Sequence, residues 1–297
     1  MKTLLTLFSL AIICCAKSQS LSPSVIASSG GYSTGTSASL SWTLGEIATE
    51  TFSNGGYILT QGFQQPVEGI VIAGINLDLL VYLEGPFSVS QMGTSLNSEG
   101  LIPFSHPYNT APWNYSGSES VLSIPNPDVV DWVLIELRDA ANAGSATPST
   151  RIARQAAFIL KDGSVVGTDG SSILQFNNSF SQQLFVIVWH RNHLGIMTAS
   201  GVTASGGIYA YDFSTSESQV HGGSNGYKNL TGSIWGMVAG DSNHEGIVNL
   251  LDKTDWTSDA GEKGYRVTDF SMDAQVNNVD KNNKWYTNYL KQSQVPQ

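Results

Sequence analysis

The chain has 297 residues, 13% of them charged, with 30 glycines and a net charge of −10. That length accommodates one large or two modest domains and a small module. Sparse charge with many Gly, Ser, Thr and Asn residues suits a turn-rich extracellular β-protein, and an acidic balance argues against nucleic-acid binding, which needs a basic face.

The chain opens on Lys2 and an apolar run from Leu4 to Ala16, which is short for a membrane span. Small residues at Ala16 and Ser18 suit signal-peptidase cleavage after Ser18, with Ser20 as the alternative. Residues 1–18 therefore read as a signal peptide, and the protein as secreted, extracellular or held at the cell surface. A lipid anchor on Cys14 or Cys15 is the rival reading, but Ala11-Ile12-Ile13 lacks the small residue such an anchor wants. Both cysteines lie in this segment, so its removal leaves no disulfide or thiol chemistry. No other long apolar run exists, so no membrane span is expected.

Residues 19–66 read as an N-terminal β-segment. Alternation over 37–44 places Ala38, Leu40, Trp42 and Leu44 on one face of a strand, continued less regularly over 46–52. Tyr57–Phe63 is a second strand candidate, and Gly30-Gly31 and Asn54-Gly55-Gly56 read as turns. The boundary is expected at Pro66–Gly69. Through Ser-Trp-Thr-Leu-Gly-Glu (41–46) and Leu-Thr-Gln-Gly-Phe-Gln-Gln-Pro (59–66), this segment resembles the short N-terminal region of many secreted Bacteroidetes-group proteins. That likeness bears on location, not activity.

Residues 70–235 read as a β-sandwich. Strands are expected at 77–84, at 129–138 with Val133, Ile135 and Leu137 on one side, and at 208–213. The apolar run at 184–190 suits a fully buried strand. Asp162-Gly163 after Ala156–Leu160 suggests a hairpin with a type I′ turn. Met92–Ser118, interrupted by Pro103, Pro107 and Pro112, reads as a long irregular loop. Its rings Tyr108, Trp113 and Tyr115 are expected to be exposed and are candidate sugar platforms, with Trp132 also considered; core packing is the bland alternative. His190 and His193 follow the buried strand at a spacing that suits a metal, a general base, or simple hydrogen bonding at a strand end. No nucleophile elbow, phosphate loop or His-Glu-x-x-His motif is present, and spacing does not identify a glycosidase carboxylate pair. No catalytic residue is assigned.

Residues 236–297 carry the most specific pattern. Two twelve-residue segments, 241–252 and 269–280, align in one register. Oxygen-bearing side chains occupy positions 1, 3, 5, 9 and 12: Asp241, Asn243, Glu245, Asn249 and Asp252, then Asp269, Ser271, Asp273, Asn277 and Asp280. Position 7, Ile247 or Gln275, would add a main-chain carbonyl. This is the oxygen-ligand order of an EF-hand-type calcium loop. Gly246 supplies the sharp turn at position 6, where the second loop has Ala274. Val248 and Val276, at position 8, suit a short strand pairing between the loops.

The pair resembles the type I dockerin, whose duplicated segments each join a calcium loop to one following helix. The helix candidates are 252–259 and 280–290. The resemblance implies calcium-dependent folding and docking onto a cohesin-like or other surface protein through positions 10 and 11. Those positions are Leu250-Leu251 and Asn278-Val279 rather than the family's usual Ser-Thr pair. Trp256 and Trp285 sit one register apart relative to their loops. The chain runs only to Gln297, so no separate C-terminal sorting domain is expected.

The expectation is a mainly β protein with a β-sandwich, an N-terminal β-segment and a small helical calcium module. Its function reads as non-catalytic extracellular binding or adhesion, with a glycan as one ligand class and polysaccharide catabolism as one setting. The alternatives are a carbohydrate-active enzyme or subunit docked into an assembly, and a structural cell-surface component.

Overall fold

The computed structural model describes residues 29–34, 39–44, 51–54, 57–60 and 74–297. The chain forms two compact units, 1–71 and 72–297. The readings placed on residues 1–18, on Cys14 and Cys15 and on the 66–69 boundary lie outside the described residues.

In the first unit, β1 (Ser29–Thr34) pairs antiparallel with β2 (Ser39–Leu44), and β3 (Thr51–Asn54) with β4 (Tyr57–Thr60). Gly30 and Gly31 lie inside β1, opposite Thr43 and Trp42, and are not a turn. Main-chain pairing fixes this strand, and glycines leave no side-chain alternation by which to see it.

The second unit is mainly β. Its strands are β5 (Ile75–Leu80), β6 (Phe87–Ser88), β7 (Gln91–Met92), β8 (Val129–Ala140), β9 (Arg151–Leu160), β10 (Ser164–Val166), β11 (Leu174–Phe176), β12 (Gln183–His190), β13 (His193–Met197), β14 (Ala204–Ser205), β15 (Ile208–Asp212), β16 (Tyr227–Thr231) and β17 (Ile234–Met237). The expected sandwich takes the form of one nine-stranded hydrogen-bonded sheet, in the order β13-β12-β8-β9-β10-β5-β15-β14 with β11 also on β5. All pairings are antiparallel except β15 on β5.

Strand β8 is buried along almost its whole length, which requires cover on both faces. The irregular loop supplies part of that cover, together with a short helix α1 (Ser95–Ser98). Tyr108 Oη donates to the Trp132 carbonyl at 2.7 Å, and Trp132 Nε1 donates to the Pro103 carbonyl at 2.8 Å. The Trp132 ring packs on Phe158 across the β8–β9 pair at 4.0 Å between centroids.

The β9–β10 connection differs from the type I′ expectation. Gly163 N–H donates to the Leu160 carbonyl, and of the turn residues only Gly163 has positive φ, at 90°. Asp162 Oδ1 instead accepts from Ser164 N–H at 3.0 Å. This is a three-residue turn closed by a left-handed glycine.

Beyond β17 the chain enters the first twelve-residue loop. Helix α2 (Leu250–Asp259) follows it. The second loop leads into a π-helical turn (Asp280–Trp285) and a last short helix, α3 (Tyr286–Asn288).

Candidate metal centre

The two loops share a hydrogen-bond scaffold. The position-6 N–H donates to the position-1 carboxylate: Gly246 to Asp241 at 3.1 Å, Ala274 to Asp269 at 2.8 Å. The position-9 N–H donates to position 12: Asn249 to Asp252 at 2.8 Å, Asn277 to Asp280 at 2.7 Å. The position-11 N–H donates to the position-9 side chain, from Leu251 at 2.6 Å and from Val279 at 2.7 Å. Positions 4 and 6 both take positive φ in each loop: His244 at 64° and Gly246 at 85°, Met272 at 58° and Ala274 at 75°. Ala274 therefore adopts the left-handed conformation that its position demands, although a Cβ disfavours it.

In the first loop the side chains of positions 3, 5 and 9 converge, because Asn243 Nδ2 and Asn249 Nδ2 both donate to Glu245 Oε1. Asp241 is buried and its Oδ1 has no hydrogen-bond partner. Burial, and then the neighbouring Asp252, push the Asp241 carboxyl up to about 8. A buried carboxylate oxygen without a donor needs either a proton or a cation. In the second loop, burial and then Asp280 push Asp269 up to about 7, but both of its oxygens accept hydrogen bonds from the loop. No three His, Cys, Asp or Glu side chains among the described residues converge on one point. The donors are mixed, with amide oxygens and main-chain carbonyls set between carboxylates. Hard divalent cations take such oxygen sets, and the residues of the first loop fit one.

The helices cross-brace the loops. Trp256, on α2, donates from Nε1 to the carbonyl of Asn277 in the second loop at 3.0 Å. Trp285 donates to the carbonyl of Asn249 in the first loop at 2.6 Å. Lys281 lies 4.7 Å from the Trp256 ring and Lys253 lies 5.6 Å from the Trp285 ring. Trp256 follows Asp252 by four positions and Trp285 follows Asp280 by five, yet the two indoles make equivalent contacts. The wide turn Asp280–Trp285 absorbs the extra residue.

The expected pairing of Val248 with Val276 does not form. Val248 exchanges main-chain bonds with Leu290 and Lys291, while Val276 does so with Gly261 and Glu262. The strand after each helix returns to the other loop and takes that edge. Both valines are fully buried, in a cluster with Trp256, Trp285, Leu194 and Phe270.

His190 and His193 are buried at the β12–β13 turn. Gly85 N–H donates to His193 Nε2 at 2.9 Å, so the proton of that ring sits on Nδ1. His193 Nδ1 lies 2.9 Å from His190 Nδ1 and 2.8 Å from Asn192 Oδ1. His190 Nδ1 thus accepts, and its Nε2 donates to Asp131 Oδ2 at 3.3 Å. Burial lowers both histidine pKa values despite the carboxylate beside His190. Every ring nitrogen has a partner, and no lone pair is left for a metal. Burial raises the Asp131 carboxyl, but Arg191 and His190 outweigh it and hold it at about 2. Tyr265 Oη donates to Asp131 at 2.6 Å, Arg191 Nη1 donates to the Arg266 carbonyl, and Asn192 Nδ2 donates to the Asp269 carbonyl at 2.8 Å.

The aromatic loop is less exposed than its prolines suggest. Tyr108 is fully buried, and Trp113 and Tyr115 are half-buried. Tyr115 Oη donates to Glu119 at 2.5 Å, and Trp113 packs edge-on against His244 of the first loop at 4.4 Å. Sequence reasoning also missed Glu84, whose buried carboxylate accepts from Lys228 at 2.6 Å, Ala239 N–H at 3.0 Å and Asn288 at 2.6 Å. Its partners lie far along the chain, and no local pattern marks it.

No family model matches the chain, and no curated protein matches it. Among solved structures it is similar to a crystal structure from Acetivibrio cellulolyticus, an N-terminal interface mutant of a type II cohesin–X–dockerin complex, at 16% identity and a TM-score of 0.32. The match covers 54% of this chain and 82% of that one. At that score the likeness bears on neither fold nor function. No helix among the described residues is long and apolar enough to cross a membrane.

Proposed function

We propose that residues 236–297 are a calcium-ordered, dockerin-like double loop, and that the protein is an exported, non-catalytic binding or adhesion component. The observation that carries the reading is the buried, unpartnered Oδ1 of Asp241 inside a loop whose hydrogen-bond scaffold recurs in the second segment. Calcium would be held in the first loop by Asp241, Asn243, Glu245, Asn249 and Asp252 with the Ile247 carbonyl. In the second loop Asp269, Ser271, Asp273, Asn277 and Asp280 with the Gln275 carbonyl take those parts. Its chemistry there is charge compensation: it lets two buried carboxylates per loop ionise together.

The docking half of the proposal rests on exposed apolar side chains. Leu250 and Leu251 at positions 10 and 11 are more than half exposed, as are Tyr286 and Leu290 near the second helix. Apolar side chains in water on helix surfaces suit a protein partner more than the hydroxyl-lined contact of the usual dockerin pair.

Thermal melts of the mature chain in calcium and in chelator test the metal. Calcium at a hundred times its Kd is expected to add about 2.7 kcal/mol to stability, and superimposable melts in the two buffers would sink the reading. Pull-down from the native surface fraction, with and without calcium, tests docking. The Leu250→Asp, Leu251→Asp double variant is expected to lose the partner while keeping its calcium-dependent melt.

A further inference from the structure

We propose that a second site, the cleft of about 540 Å³ beside the first loop, binds a saccharide carrying an oxyanion, a uronate carboxylate or a sulfate. Its volume suits a small ligand of a few sugar rings at most.

The cationic end is set by strands β8 and β9. Arg138, Arg151 and Arg154 all line the cleft around the carboxylate of Glu136. Arg138 already occupies Glu136 Oε1, with Nε and Nη2 each at 2.7 Å. Arg151 reaches Glu136 Oε2 only at 3.8 Å and is 41% exposed. Arg154 sits directly opposite Glu136 across the strand pair and makes no ion pair among the described residues. Its Nη1 donates to the Trp113 carbonyl at 2.6 Å, which fixes the guanidinium in place. Arg138 is buried and uses its donors on Glu136 and on the Ala146 and Pro296 carbonyls, so Arg151 and Arg154 are the groups left to bind an oxyanion in a forked geometry. The carboxylates of Asp241 and Glu245 also line the cleft, which favours a ligand that carries its charge at the arginines and neutral hydroxyls elsewhere.

The apolar part is aromatic. Trp113 and Trp189 both line the cleft. The Trp189 ring lies so close on Gly195 that a Cβ there would stand 2.3 Å from it, so only glycine admits this ring position. Trp189 Nε1 is buried without an acceptor. Indole rings beside charged donors are what a sugar ring with an acidic substituent requires: a flat apolar surface for C–H groups and a fork for the anion. The cleft shares Asp241 and Glu245 with the proposed calcium loop, so bound calcium would favour an anionic ligand there, while the arginine variants test the cleft separately from the melts.

The test is titration calorimetry with tryptophan fluorescence, using tetragalacturonate, a sulfated disaccharide, cellotetraose and tetraglutamate. An acidic saccharide is expected to bind at least about tenfold tighter than cellotetraose and to weaken as salt rises. Whichever of the two acidic sugars binds tighter identifies the oxyanion. The Arg151→Gln, Arg154→Gln double variant is expected to lose that preference. If it melts early, the exposed Arg151→Gln single variant is expected to lose several-fold. Equal affinity for cellotetraose, tighter binding of tetraglutamate than of either acidic sugar, unchanged binding by the variants, or no signal with either acidic sugar at millimolar concentration would each overturn the proposal.

Discussion

The two twelve-residue loops have one scaffold and two degrees of completeness. The first closes on Gly246 and leaves Asp241 Oδ1 buried without a donor. The second closes on a strained Ala274 and gives every oxygen of Asp269 and Asp280 a donor from the loop. A loop that satisfies its own carboxylates can keep its shape without a cation, whereas one with an orphaned oxygen depends on it. The difference teaches that ligand spacing states which atoms could hold an ion, while the hydrogen bonds state how much each loop needs one.

The largest effects are expected at the braces common to both loops. Trp256→Ala and Trp285→Ala each remove a buried indole and should cost about 3–5 kcal/mol by denaturant unfolding. Because each indole bonds the opposite loop, Trp256→Phe should weaken calcium binding in the second loop and Trp285→Phe in the first. Loop-resolved NMR titration checks this, and weakening confined to the loop preceding each helix would break the cross-braced picture.

Next comes the asymmetry itself. Asp241→Ala should abolish the tighter calcium-binding event in calorimetry and most of the calcium-dependent gain in Tm, and Asp269→Ala the smaller share. The reverse order would invert the comparison.

A pH series in chelator sharpens it further. The folded-state pKa values of Asp241 and Asp269 are raised, so the folded chain binds more protons than the unfolded one between about pH 4 and pH 8. Their contribution is therefore fully present below the unfolded value of 3.8 and is lost as pH rises, through about 7 for Asp269 and about 8 for Asp241. The difference between wild type and Asp241→Asn isolates the upper step, and a flat difference across pH 4–8 would remove it.

The smallest effect is at position 6. A Cβ on Gly246 meets only Ser293 at 3.6 Å, so Gly246→Ala has room and should cost only the left-handed penalty of about 1 kcal/mol. Ala274 shows that the second loop tolerates this conformation, so a much larger loss would mean that the first loop uses Gly246 for more than its backbone.

The ligand positions and the major strands were legible because both obey fixed periods. The alternation along β2 and the apolar run in β12 mark strands directly. The twelve-position oxygen order marks both loops, and the departures at Ala274 and Trp285 were visible as departures. What they do to the structure was not visible. That Trp285 regains its contact through a π turn depends on the opposite loop being there to receive it. The destination of Val248 and Val276 depends on how the chain returns after each helix. His190 and His193 look like ligands in one dimension and turn out to hydrogen-bond each other, Gly85 and Asp131, partners brought in from distant parts of the chain. The short strands β13, β16 and β17 were missed because pairing, not side-chain pattern, makes them. The prolines of the aromatic loop mark irregular backbone, which does not by itself mean exposure. Tyr108 is buried because β8 needs a cover.

The exchanged tryptophans also make the two loops thermodynamically inseparable. Neither can open without releasing an indole that belongs to the helix of the other, so ordering one by an ion pre-pays the ordering of its neighbour. Calcium uptake is therefore expected to be cooperative. A coupling free energy in the usual range of about 1–3 kcal/mol would make the second ion bind roughly 5–150-fold tighter than it would alone, and the weaker loop would fill as a consequence of the stronger.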